Sequence, residues 1–308
     1  MTSNITSPVT GSNNTVLERE IPSSRIISEY KNELNIDVAK YFSGIDKICI
    51  YKCLDTGYRF YSPSNISGDD DFYQQLEKFP WYYMNWKWEH GIAYEVIKSG
   101  DRALEIGCAR GSFIEKLHEK GVRAEGLEMN ANALRMCKEK SLVVYPDSIE
   151  AFSKNKRNAY DIICSFQVLE HVPFVKNFFY SSLQILKPGG LLIVSVPNND
   201  CLLLDGKELI TNLPPHHMGM WNLNSLLKLQ NYFDMTVQSI HLEPLQKYHF
   251  GFAKKLAEVE VKDKIQKKFG IFAPIVNRLA NRMILPVVIP LSKYIIGHSI
   301  LVVYKKNP

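Results

Sequence analysis

Glu105, Gly107, Gly111 and Glu128 are spaced as a ligand-holding set would be. The apolar run Ala103 to Ile106 carries Glu105 and ends in the turn Gly107-Cys-Ala-Arg-Gly111, after which an amphipathic helix is expected from about Ser112. A buried strand running through a glycine-opened turn into a helix N-terminus is how α/β proteins hold nucleotide-like ligands. Gly107 and Gly111 lack a Cβ, so they accept positive φ and let a ligand approach the backbone. Glu128 closes the next apolar run, about 20 residues further on, a spacing that suits a ribose diol bound across two adjacent strand ends.

The elements that must position these residues follow from hydrophobic periodicity. Strands are expected at 102–107, 123–128, 142–145, 160–166 and 190–196, with helices at 112–120, 130–139, 148–153 and 174–186. Near-continuous apolar strands alternating with helices imply a parallel sheet covered on both faces. Right-handed crossovers then bring all strand C-termini to one edge. Glu105, Glu128, Asp147, Gln167 and the pair Glu170-His171 all fall at that edge, where open α/β sheets bind ligands. Met235 to Leu242 and Ser299 to Tyr304 alternate like strands and are expected to close the sheet as an antiparallel pair. Leu186-Lys-Pro-Gly-Gly190 is expected to stop a helix and turn into the buried strand that follows.

Composition narrows the class. The 308 residues are 45% hydrophobic and 22% charged, an ordinary globular balance. A net charge of +5 without a basic, aromatic-interleaved block argues against a nucleic-acid partner. The six cysteines are scattered, which fits free thiols in a reducing, cytoplasmic setting rather than a disulfide framework. Residues 1–24 are rich in Ser, Thr and Asn and lack a basic and an apolar segment, so they read as a disordered tail and not a signal peptide. No run approaches the roughly 18 apolar residues that span a bilayer.

Residues 25–85 form an arm ahead of the main domain at 86–308. Ile45 to Pro63 alternates around Asp55-Thr-Gly57 and is expected to be a β-hairpin. Cys49 and Cys53 lack the tight thiol pair and the four ligands of a structural zinc site, so no metal is expected there. Trp81, Tyr82 and Tyr83 open an aromatic stretch containing three of the four tryptophans; it either packs the arm on the core or roofs a pocket. A loop after the last parallel strand carries Pro214-Pro-His-His-Met-Gly-Met-Trp221. Residues 252–297 combine a lysine-rich half with an apolar half, a pattern for a helical lid or dimer surface, or for peripheral contact with a membrane or lipid-linked substrate.

Taken together, Leu104-Glu-Ile-Gly-Cys-Ala-Arg-Gly111, Glu128, Asp147, Asp161-Ile-Ile-Cys-Ser-Phe-Gln-Val-Leu-Glu-His171 and Leu186-Lys-Pro-Gly-Gly190 resemble a class I S-adenosylmethionine-dependent methyltransferase. The resemblance runs from about Trp86 to Leu242 and includes the last strand. Ala109 departs from it, standing where a middle glycine is usual. The resemblance implies a Rossmann-like α/β fold with a seven-stranded, mostly parallel sheet, helices on both faces, and the N-terminal arm and C-terminal helical insert as additions. It implies S-adenosylmethionine as cofactor. Glu105 and the turn Gly107, Cys108, Ala109 and Gly111 would hold its methionine part, Glu128 the ribose, Met129 the adenine face, Asp147 and Ser148 the adenine edge, and Gln167 and Val168 the floor near the sulfonium.

Methyl transfer needs mostly in-line positioning in a dry pocket, with a base only when the acceptor must lose a proton. His216, His217 and His171 are the candidates for that base, and Trp81, Tyr82, Tyr83 and Trp221 for acceptor contacts. The Pro-Pro-His-His…Trp segment resembles methyltransferases of bacterial sugar and polysaccharide pathways, and the hairpin resembles a zinc-ribbon-like segment of that group with its ligand set incomplete. The expected acceptor is therefore a small molecule, foremost a sugar-type hydroxyl. A lipid- or quinone-like acceptor is the alternative within the same chemistry. An NAD(P)-dependent oxidoreductase and a catalytically silent partner protein are the alternatives of other classes.

Overall fold

The computed structural model describes residues 5–201, 209–251 and 292–308, with the isolated residues 254, 286 and 290. The chain begins with β1 (Thr15–Pro22), which runs into α1 (Ser23–Leu34). β1 pairs antiparallel with β2 (Lys47–Cys53), and β2 with β3 (Arg59–Ser62), so the expected hairpin is present. The expected disordered tail is corrected, because Thr15–Pro22 is a sheet strand. Its partner lies about 30 residues downstream, and its exposed Glu18 and Glu20 pair across the sheet with Arg59 at 2.8 Å and Lys47 at 2.7 Å. A polar strand held by backbone pairing with a distant partner carries little local signal.

Asp69 caps α2 (Asp70–Leu76) by accepting the Phe72 N–H at 3.1 Å. α3 (Trp88–Val96) leads to the main sheet. There the chain alternates: β4 (Arg102–Ile106), α4 (Ser112–Glu119), β5 (Arg123–Leu127), α5 (Ala131–Glu139), β6 (Val144–Tyr145), α6 (Ile149–Ser153), β7 (Tyr160–Phe166), α7 (Val175–Ile185) and β8 (Leu186–Pro197). β9 (Gly219–Met220), α8 (Leu223–Lys228), β10 (Met235–Pro244) and β11 (Ile296–Lys306) complete it. The seven-stranded sheet has the order β10-β11-β8-β7-β4-β5-β6. β8-β7-β4-β5-β6 are parallel, while β11 runs antiparallel to β8 and to β10. Both the Rossmann-like sheet and its closing antiparallel pair are as expected.

The strand order reverses between β4 and β7, which opens a crevice above their C-terminal ends. Leu186–Gly190 differs from expectation: it belongs to β8. Leu186 still pairs with Tyr160, whereas Leu191 pairs with Ile162, so the Lys-Pro-Gly-Gly segment bulges from a continuing strand. Gly189, at φ +73, makes the bulge, and Lys187 closes it on Asp161 at 2.7 Å.

β9 joins β1, β2 and β3 as a fourth strand through pairing with Arg59 and Phe60. The N-terminal sheet is thereby stitched to the loop carrying His216 and His217. Two buried clusters pack the main sheet, and a third, built around Tyr30, Ile48, Tyr61 and Phe72, seats the arm against Leu213 and Met218 of that loop. No helix among the described residues is long and apolar enough to cross a membrane. Most of the expected 252–297 insert, with its lid, dimer and membrane readings, lies outside the described residues.

Candidate active site

A cavity of about 1210 Å³ opens at the C-terminal edge of the parallel strands. One wall is the β4 turn. Gly107 and Gly111 take φ +72 and +73, and Ala109 takes φ +46, a left-handed position that costs a non-glycine residue roughly 1 kcal/mol or more. The Gly107 and Cys108 N–H groups donate to Leu127 O at 2.8 and 3.0 Å, which ties the turn to β5. The Glu128 carboxylate accepts the Ala109 N–H and the Asn130 N–H, each at 2.8 Å. An ionised carboxylate offers about four acceptor positions, so two remain for a ligand.

Glu105 lies on β4 between Gly126 and Cys164, with one oxygen buried and unpartnered among the described residues. Burial, then the thiol of Cys137 and the charge of Glu128, push its carboxyl well above the usual range. Met129 is 64% exposed at the cavity wall, where its apolar side chain is free to meet a ligand. Asp147, Ser148, Gln167 and Val168 also line the cavity. The Ser148 hydroxyl already caps α6, accepting the Ala151 N–H at 3.3 Å. Gln167, at φ +56, donates from its amide to Ser195 at 3.1 Å and to Glu89 at 3.3 Å. Gly111 is not part of the lining; a Cβ there would meet Leu142 and Cys137 behind the turn.

The opposite wall joins two loops that are distant in sequence. Met218 N–H donates to Glu170 O at 2.7 Å, and His171 Nδ1 lies 2.6 Å from His216 O. A carbonyl cannot donate, so His171 carries its proton on Nδ1. His216 Nδ1 bonds Thr211 O at 2.8 Å in the same way, and its buried Nε2 has no partner among the described residues. The rings of His171, His216 and His217 have centroids 4.5–4.8 Å apart. Burial lowers all three, His171 to about 4, so the cluster is neutral at physiological pH.

Trp81, Tyr82 and Tyr83 line the cavity, with Tyr82 5.9 Å from the His216 ring and Tyr83 under the Arg110 guanidinium at 5.3 Å. Trp221 corrects the expectation for an acceptor contact. It is fully buried against Tyr58 at 4.0 Å and is absent from the lining, because its loop returns to the core at β9. Sequence reasoning missed Tyr73, Glu89, His249 and His298, which also line the cavity. Tyr73 touches His171 at 3.3 Å from α2, and His298 comes from β11. None sits in a motif; only the packing of the arm and the closing strands brings them in.

Glu170 gives a pH-dependent prediction. Burial raises its carboxyl from 4.5 to about 8. The folded state then binds more protons than the unfolded state between those values and loses stability as pH rises through that window. Glu170→Gln is expected to be more stable than the parent at pH 8 by up to about 4 kcal/mol, with the gain vanishing near pH 4. Urea unfolding at both pH values measures this, and an equal difference at both would refute it.

Residues 81–241, more than half of the 308-residue chain, match the family model described as a methyltransferase domain. The ubiquinone biosynthesis O-methyltransferase of Marinobacter nauticus is 30% identical over 142 residues, covering 42% of this chain and 60% of that protein. The protein of the same name from Photorhabdus laumondii is 28% identical over 126 residues, 38% of this chain and 52% of that one. The match thus spans little more than half the length of these curated relatives. Among solved structures, a SAM-dependent methyltransferase from Archaeoglobus fulgidus superposes with a TM-score of 0.47 at 16% identity, over 78% of this chain and 95% of that one.

Proposed function

The chain belongs to the methyltransferase-domain family, and from that premise we propose that it moves a methyl group from S-adenosylmethionine to a hydroxyl of a lipid- or quinone-like acceptor. The observation that carries the reading is that one cavity joins a donor wall to a neutral histidine cluster and an aromatic wall. The donor wall fits the cofactor. Glu105 offers a buried, unpartnered carboxylate oxygen to a cation, Glu128 has two acceptor positions left for a diol, and Met129 offers an apolar face to a base. A cationic neighbour would also return Glu105 to its ionised form.

Bound there, S-adenosylmethionine supplies an electrophilic methyl group on a good leaving group. The chain's own part is positioning and activation. Gln167, pinned by Ser195 and Glu89, fixes the floor between the two walls. Tyr82 and Tyr83 give a flat apolar acceptor a surface to stack on. His171, His216 and His217 face the same space and activate the acceptor hydroxyl. The names of the curated relatives favour the lipid- or quinone-like acceptor over the sugar-type hydroxyl expected first.

Calorimetry with S-adenosylmethionine and with NAD tests the donor: micromolar binding of the first and none of the second is expected, and the reverse would make the chain an oxidoreductase. Labelled-methyl transfer into hydroxylated prenyl-quinol lipids, compared with sugar nucleotides, tests the acceptor. Label only in the sugar nucleotides would return the acceptor to the sugar class.

A further inference from the structure

We propose that His171, His216 and His217 form a binding site for a divalent transition-metal ion of the zinc class, with an open coordination position facing the cavity. A ligating nitrogen of each ring lies within 4.8 Å of the others. Imidazoles sharing one ion at a metal–nitrogen distance of about 2.1 Å hold their ring centroids about 4.5 Å apart at right angles and about 5.2 Å apart at the tetrahedral angle. The centroid separations of 4.5, 4.7 and 4.8 Å fall in that interval. Bringing the nitrogens to bonding separation asks for side-chain rotations of about 1 Å.

Two of the three rings make the hydrogen bonds of metal ligands. A ligating histidine donates its other ring N–H to a carbonyl or carboxylate, which fixes the tautomer and the ring plane. His171 and His216 do this to His216 O and Thr211 O, so each presents an unprotonated Nε2. The His216 Nε2 is buried and unpartnered among the described residues, a cost that an ion would remove. The Glu170 carboxyl lies 3.8 Å from His171 Nε2, and its second oxygen is likewise buried and unpartnered among the described residues. Three nitrogen donors suit zinc, iron, nickel or copper rather than magnesium or calcium. Three protein ligands with one position left open is the arrangement of catalytic rather than structural zinc.

The site stands on the ring geometry, whereas its role rests on the proposed methyl transfer. An acceptor hydroxyl at the open position becomes more acidic, so the histidines would act on it through the ion. The protein, stripped with a chelator, is titrated with zinc by calorimetry, and with cobalt(II) for its visible ligand-field absorption. A single equivalent of zinc and a nitrogen-ligated cobalt spectrum are expected, both weakened about 100-fold or more in His216→Asn and His217→Ala. S-adenosylmethionine titration of each variant controls for folding. Zinc binding absent from the parent, or equal in the parent and in variants that still bind S-adenosylmethionine, overturns the metal site and leaves the proposed function standing. Zinc binding without S-adenosylmethionine binding in the parent supports the site and overturns the proposed function instead.

Discussion

His216→Asn is expected to lower methyl transfer by about 10²- to 10⁴-fold while leaving S-adenosylmethionine affinity unchanged. The substitution is chosen for what it preserves. The asparagine amide can still donate to Thr211 O, as His216 Nδ1 does at 2.8 Å, so the loop keeps its anchor. It removes Nε2, the buried nitrogen that has no partner among the described residues, from a residue that lines the cavity. His216 also packs beside Phe72, Tyr73 and Tyr82, so alanine would leave a void and blur loss of chemistry with loss of packing. Single-turnover rates with the donor pre-bound, read beside calorimetry, separate the two effects. Turnover within about threefold of the parent would assign the cluster a structural role and remove it from the mechanism.

Glu128→Ala is expected to weaken S-adenosylmethionine binding by about 10²- to 10³-fold. Two hydrogen bonds from ligand hydroxyls to a carboxylate contribute on the order of 3–4 kcal/mol together, and each 1.4 kcal/mol is about tenfold in affinity. The same carboxylate holds the Ala109 and Asn130 N–H groups at 2.8 Å, so its removal also frees the strained turn. Glu128→Gln keeps one acceptor and should fall between the two. The expected signature is a rise in dissociation constant larger than the loosened turn alone would give, so thermal stability is read beside it. Unchanged affinity in Glu128→Ala would place the donor elsewhere in the cavity.

The parallel sheet was legible in the sequence because its strands are near-continuous apolar runs and the turn after β4 carries Gly107 and Gly111. Those signals are local: period, breakers and the spacing of two acids. The same locality explains the errors. β1 looked like a tail because it is held by pairing with β2, far along the chain, and its exposed Glu18 and Glu20 are charged. Trp221 looked like an acceptor contact because sequence proximity to His216 and His217 says nothing of which way the loop turns, and pairing of β9 with β3 turns it into the core.

The sequence by itself determined the half of the cavity that carries Glu105 and Glu128. Glu105, the turn and Glu128 lie within one β-α-β unit, whose geometry is fixed by right-handed crossover and sheet pairing. Only the tertiary structure decided the other half. His171 follows β7 while His216 and His217 lie more than 40 residues later, and Tyr73 comes from the N-terminal arm. Their meeting depends on the Met218–Glu170 and His171–His216 hydrogen bonds and on a core shared by the arm and the loop. Long-range packing of that kind is set by the sum of many weak contacts, and no single motif encodes it.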